Sequence, residues 1–154
     1  MASEGSDRRL PGVLFVCVGN SCRSQLAEAF GRKLGRGIFR AYSAGLEPAG
    51  VLSSGIRQVA PEFGLDFEGQ YSKGFGEVPL EQVNLVVNLS GRPASEVIER
   101  LRRLDPNRDW GSLLRNHYVE DPGGGDLEAY RNAAEHIRDV VQAVIAELQP
   151  GPQR

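Results

Sequence analysis

Cys17 and Arg23 are separated by five residues, Val18, Gly19, Asn20, Ser21 and Cys22, and Ser24 stands directly behind them. A cysteine thiolate is a strong nucleophile, and a guanidinium grips a tetrahedral oxyanion through two hydrogen bonds. The pair therefore suits nucleophilic displacement at the centre of such an oxyanion. Spacing alone is weak evidence in a chain this rich in arginine, so the weight falls on what flanks it. Val13-Leu14-Phe15-Val16 is β-branched and aromatic and reads as a buried strand, while Ser24 to Leu34 has helical apolar spacing. The intervening residues form a strand-to-helix loop. Such a loop aims backbone N–H groups and a helix N-terminus at one point, which makes it an anion cradle. The helix dipole and Arg23 favour a thiolate at Cys17. Gly19 is expected to supply a positive φ and close anion approach, Asn20 to brace the loop, and Ser24 to serve as N-cap and as a hydroxyl near the thiol.

The elements that must position this loop follow from periodicity. In the first helix Leu26, Ala27, Phe30 and Leu34 share a face, and Gly35 and Gly37 end it. Ile38 to Ser43 reads as a second strand. Leu52, Ile56, Val59 and Phe63 recur at helical spacing until Pro61 stops the helix near Ala60, and Gly64 to Gly76 reads as loop. A third strand covers Val83 to Leu89. Pro93 then opens a helix with Ala94, Val97, Ile98 and Leu101 inward and Arg100, Arg102 and Arg103 on a solvated face. Residues 105–116 show no clear period, and Trp110 there is either a core plug or a recognition residue. His117-Tyr118-Val119 reads as a short fourth strand running into Glu120-Asp121-Pro122-Gly123-Gly124-Gly125. The last helix carries Leu127, Tyr130, Ala134, Ile137, Val141, Val144 and Leu148 inward, with Asp126 as N-cap. Alternating strands and helices imply an α/β fold with parallel pairing and right-handed crossovers, and ligands then sit beyond the carboxyl ends of the strands. Asp121-Pro122 lies at that same edge, although by itself it is an ordinary turn.

A chain of 154 residues suits one domain, here 12–148, with loose tails at 1–11 and 149–154. A net charge of −2 gives no electrostatic case for nucleic acid or an anionic membrane, and no stretch is long and apolar enough for a membrane span or a signal peptide. A cytoplasmic location is expected. Two cysteines do not make a disulfide framework, and His117 and His136 are not at ligand spacing with them, so no metal is expected.

The run Val16-Cys17-Val18-Gly19-Asn20-Ser21-Cys22-Arg23-Ser24-Gln25-Leu26-Ala27-Glu28 closely resembles the active-site signature of the low-molecular-weight protein tyrosine phosphatases and the related thioredoxin-coupled arsenate reductases. The resemblance implies a three-layer fold, with a four-stranded parallel sheet of order 2-1-3-4 flanked by helices. It implies Cys17 as nucleophile, Arg23 with the amides of Val18 to Ser24 as oxyanion clamp, and Asp121 as general acid, because the family keeps its acid in such an Asp-Pro loop. Asn20, Glu28 and Ser43 match positions that help hold a potassium ion beneath the loop in the reductases. Lys73 stands where a further acidic ligand is expected, so its ammonium is expected to replace the ion. Cys22 is either a small loop residue or a partner for a reversible disulfide with Cys17.

Two departures bear on substrate. The phosphatases wall the phosphotyrosine ring with an aromatic residue after the Ser-Ala-Gly turn and with tyrosines after Asp-Pro. Here those places read Leu46-Glu47-Pro48 and Gly123-Gly124-Gly125. The reductases relay oxidation to two further cysteines, yet Leu89-Ser90-Gly91 follows the third strand and no cysteine follows Cys22. The first reading is therefore an arsenate reductase-like enzyme without cofactor, recycled by an external thiol such as glutathione or mycothiol or by a glutaredoxin-like partner. The second is a phosphatase for phosphotyrosine or small phosphate esters. A third, of another class, is an oxyanion-binding or redox-sensing protein with little turnover.

Overall fold

The computed structural model describes residues 10–149, so the tail assignments at 1–9 and 150–154 lie outside the described residues. Four strands, β1 (Gly12–Cys17), β2 (Arg40–Gly45), β3 (Val83–Asn88) and β4 (Leu114–Asn116), form one parallel sheet of order β2-β1-β3-β4. This is the expected order. Among the described residues five α-helices accompany them: α1 (Arg23–Leu34), α2 (Ser54–Val59), α3 (Ala94–Leu104), α4 (Trp110–Leu113) and α5 (Leu127–Leu148).

Alternation along β1 divides the core in two. Val13 and Phe15 pack on one face with residues of α1, α2 and α5, whereas Leu14 and Val16 pack on the other with Val97, Leu101 and Trp110. All six residues of β1 are buried, as a central parallel strand covered on both faces requires. Trp110 is a core plug, its indole N–H donating to the Asp105 carbonyl at 2.9 Å. Register matters most at the carboxyl edge. Cys17 lies beside Gly45, and Val16 beside Asn88, which in turn faces Asn116, so every strand ends at the same edge of the sheet. Gly45 is required there, because a Cβ would come within 2.7 Å of the Val18 carbonyl oxygen.

Several boundaries differ from expectation. The second strand runs Arg40–Gly45 rather than Ile38–Ser43, because the amides of Ile38 and Phe39 both turn back to the Gly35 carbonyl. The fourth strand is Leu114–Asn116 rather than His117–Val119. His117 and Val119 still donate to the carbonyls of Asn88 and Leu89, but the regular ladder ends there, where the carbonyls of Leu89 and Val119 also accept from Arg23. The loop from Gly64 to Gly76 runs into a 3₁₀ turn at Phe75–Glu77. Arg100 leaves the solvated face and donates to the Leu46 carbonyl at 2.6 Å. Leu127 is exposed at the start of α5, whereas Asp126 caps that helix as expected, accepting from Ala129 N–H at 3.0 Å. Among the described residues no helix is long and apolar enough to cross a membrane.

Candidate active site

The loop after β1 has its peptide groups sorted by direction. Carbonyls of Cys17, Val18, Gly19 and Ser21 accept from the amides of Leu46, Glu47, Ala49 and Ser53 at 2.7 to 3.1 Å, and that of Asn20 accepts from Gln25 Nε2. The N–H groups of Val18 to Cys22 donate to no protein group among the described residues. A loop whose acceptors are all satisfied outward and whose donors are all free is built to receive an anion. The left-handed residue that turns it is Asn20, with φ 48°, rather than Gly19. Asparagine tolerates that conformation, and here three neighbours hold it.

Those neighbours also orient its amide. Asn20 Oδ1 accepts from the backbone N–H of Lys73 at 2.8 Å and from Gln25 Nε2 at 2.9 Å, so its amide nitrogen must face Ser24 Oγ, 2.7 Å away. Ser24 Oγ accepts from Asn20 and lies 2.8 Å from Cys17 Sγ, where its own hydrogen can be donated to the sulfur whenever that is a thiolate. Ser24 is not the N-cap, since that position falls on Cys22, without a side-chain cap bond. Its hydroxyl is spent on the sulfur instead.

Arg23 is buried and fixed at one end. Its Nη1 donates to the carbonyls of Val119 at 2.9 Å and of Leu89 and Ser90 at 3.3 Å each. That leaves Nε and Nη2 for a ligand. Nη2 lies 3.8 Å from Asp121 Oδ2, whose side chain is 61% exposed. The other carboxylate oxygen, Oδ1, accepts from Gly123 N–H at 2.9 Å and so holds the loop in shape. Asp121, distant in sequence, thus joins Cys17 and Arg23 at one edge.

Beneath the loop, the Ser43 hydroxyl donates to Glu28 Oε1 at 2.6 Å, and Lys73 Nζ lies 3.7 Å from the same oxygen while donating to the Tyr71 carbonyl at 2.9 Å. Arg32 closes the group at 2.8 Å from Glu28 Oε2. Burial lowers the Lys73 pKa, and Glu28 works against that shift. An ammonium between Glu28, Ser43 and the Tyr71 carbonyl leaves no fit for a potassium ion. No cluster of three or more His, Cys, Asp or Glu among the described residues is arranged for a metal.

Sequence reasoning missed Gln25 as a brace, along with Gln70 and Ser72. Gln25 is fully buried and donates to Asn20 and to the Tyr71 carbonyl, Gln70 donates to Gln25 Oε1, and Ser72 Oγ donates to the Gly19 carbonyl. Unbroken burial from Arg23 to Gly31 hides Gln25 from an amphipathic pattern, and the 64–76 stretch carries no period at all.

Cys22 is a free, buried thiol packed in the core with Leu26 and Ile56. Desolvation, then the nearby Cys17 and Asp121, push its pKa far above the ordinary 9.0. The folded state thus keeps this proton while the unfolded chain releases it above pH 9.0, so stability must fall as pH rises past that value. The slope tends to about 1.4 kcal/mol per pH unit. Urea denaturation between about pH 8 and 10 should show the decline in the wild type and a smaller one in Cys22→Ala; parallel curves would contradict it.

A Cys-x5-Arg cradle at the carboxyl edge of a 2-1-3-4 parallel sheet defines a class of cysteine-dependent oxyanion enzymes. The chain belongs to the low molecular weight phosphotyrosine protein phosphatase family, whose model matches residues 12–153. It is 32% identical over 136 residues to the glutaredoxin arsenate reductase of Synechocystis sp., covering 88% of this chain and 97% of that one. It is 39% identical over 125 residues to an arsenate reductase of Brevibacillus brevis, covering 81% and 87%. Among solved structures, an arsenate reductase in the phosphate binding state superposes with a TM-score of 0.72 at 29% identity, over 91% of this chain and all of that one. An arginine phosphatase from Geobacillus stearothermophilus shares the fold, with a TM-score of 0.73 at 21% identity over 94% and 99% of the two chains.

Proposed function

We propose that this enzyme is a cytoplasmic, single-domain arsenate reductase whose nucleophile is Cys17 and whose reductant is an external thiol. The observation that carries this reading is the mouth of the cradle. The residues after β2 and after Asp121-Pro122 supply no aromatic side chain; of the exposed tyrosines, Tyr71 sits beneath the Lys73 ammonium and Tyr118 lies across Gly91. A small tetrahedral oxyanion needs the cradle alone.

In the first step Cys17 Sγ attacks arsenate held by the free loop amides and by Nε and Nη2 of Arg23. An S–As bond forms, an As–O bond breaks, and Asp121 supplies the proton that lets the oxygen leave as water. An external thiolate then attacks Cys17 Sγ, forming a mixed disulfide, while the S–As bonding pair stays on arsenic and reduces it from As(V) to As(III). A second thiol releases the cysteine as thiolate. The chain's two cysteines are Cys17 and the core-packed Cys22, which is why both reducing equivalents come from outside. Arsenite formation that requires added glutathione or mycothiol, or a glutaredoxin-like partner, tests this; its absence with every such donor would refute it.

A second reading rests on a groove of about 420 Å³ along Val119–Gly125 and the adjoining face of α5. Asp121 lines that groove, and it is the acid that would protonate the leaving group in phosphatase action through a cysteinyl-phosphate.

The Lys73 network makes its own prediction. Because an ammonium already balances Glu28, kcat/KM should agree within about twofold in sodium and potassium salts of equal ionic strength. A severalfold advantage for potassium would show that the ion binds beneath the loop after all.

A further inference from the structure

Arg92 stands in the loop after β3, at the carboxyl edge of the sheet, and is tied to the scaffold that fixes Arg23. Its N–H donates to Ser90 Oγ at 3.0 Å, its carbonyl accepts from Asn88 Nδ2 at 3.0 Å, and the carbonyls of Leu89 and Ser90 in the same loop hold Arg23. Its guanidinium bridges two carboxylates of unequal character. Glu96, one turn along on α3, pairs with Nη1 at 2.7 Å and is 35% exposed. Glu47 pairs with Nη2 at 2.9 Å and is 63% exposed. Glu47 belongs to the segment after β2 whose amide donates to the Val18 carbonyl at 2.7 Å, so this ion pair spans two of the loops around the mouth.

An ion pair this exposed is cheap to exchange, whereas Glu96 and the backbone bonds keep Arg92 in place when Glu47 lets go. We propose that Arg92 anchors a carboxylate of the low-molecular-weight thiol that forms the mixed disulfide with Cys17, with Glu47 as the exchangeable occupant of its Nη2. The co-substrate class is thus an acidic thiol, such as a cysteine-containing peptide, in preference to a neutral one. This rests on the reading in which an external thiol recycles Cys17, and it assigns that thiol's recognition to a residue outside the cradle.

Thiol–disulfide exchange isolates the step without arsenate. The Cys17 thiolate attacks glutathione disulfide, an enzyme–glutathione S–S bond forms, the original S–S bond breaks, and glutathione thiolate leaves. The rate is followed by mass spectrometry, with 2-hydroxyethyl disulfide as the uncharged comparison. Arg92→Ala should slow exchange with glutathione disulfide about five- to tenfold and leave the neutral disulfide within about twofold, Arg92→Lys should retain most of the rate, and Glu47→Gln should raise it. High salt should erase the wild-type preference. Equal effects of Arg92→Ala on both disulfides, or no effect on glutathione disulfide, would overturn the proposal. Failure of the arsenate reading looks different: the disulfide preference persists, but no thiol supports arsenite formation.

Discussion

Cys17→Ser is expected to abolish arsenite formation and phosphate ester hydrolysis together, by roughly 10⁴-fold or more. The loss should be chemical rather than structural. Cys17 is buried at the end of β1, and the substitution keeps its size nearly constant, with Ser24 Oγ 2.8 Å away to hydrogen-bond the new hydroxyl. A serine hydroxyl in the same place has no dedicated base to activate it, because its bonded neighbour, Ser24, is another hydroxyl. Unchanged affinity for phosphate alongside lost turnover would be the signature. Residual activity above about one per cent in either reaction would mean that the nucleophile lies elsewhere.

Asp121→Asn should reduce turnover by about 10² to 10³-fold, since the amide cannot protonate the departing oxygen. The loss should depend on the leaving group. An activated aryl oxyanion departs without help, so hydrolysis of such an ester should fall much less than that of an alkyl phosphate or than arsenate reduction. The backbone need not move, because the side-chain oxygen of asparagine can still accept from Gly123 N–H, 2.9 Å from Oδ1 in the wild type. A uniform loss across leaving groups would assign Asp121 to holding its loop or to orienting Arg23 at 3.8 Å, rather than to proton transfer.

The sequence was most legible where local and tertiary preferences agree. β1, the cradle and α1 stand out because a β-branched run gives way to a helical period at a loop with two chemically distinctive residues, and α5 because its long apolar stripe begins at a good cap. Legibility fell where tertiary contacts decide. The ends of β2 and β4 are set by the Gly35 turn and by the demand of Arg23 for the carbonyls of Leu89, Ser90 and Val119, none of which leaves a periodic trace. In the site, Cys17, Arg23 and Asp121 could be placed from motif and topology. The left-handed Asn20, the bond from its amide to Ser24 and the bracing by Gln25 depend on atoms brought from the 70–73 segment, so only the folded chain reveals them.

The most direct test of the account compares two rates on one preparation: arsenite formed with glutathione as reductant, and hydrolysis of a phosphotyrosine peptide. A ring without aromatic walls forfeits about 0.5 to 1.5 kcal/mol per lost pair, so two or three missing contacts weaken phosphotyrosine recognition by roughly fivefold to two-thousandfold. The account predicts thiol-dependent arsenite formation with only slow peptide hydrolysis. Efficient phosphotyrosine hydrolysis, with no arsenite formed under any thiol system, would contradict it.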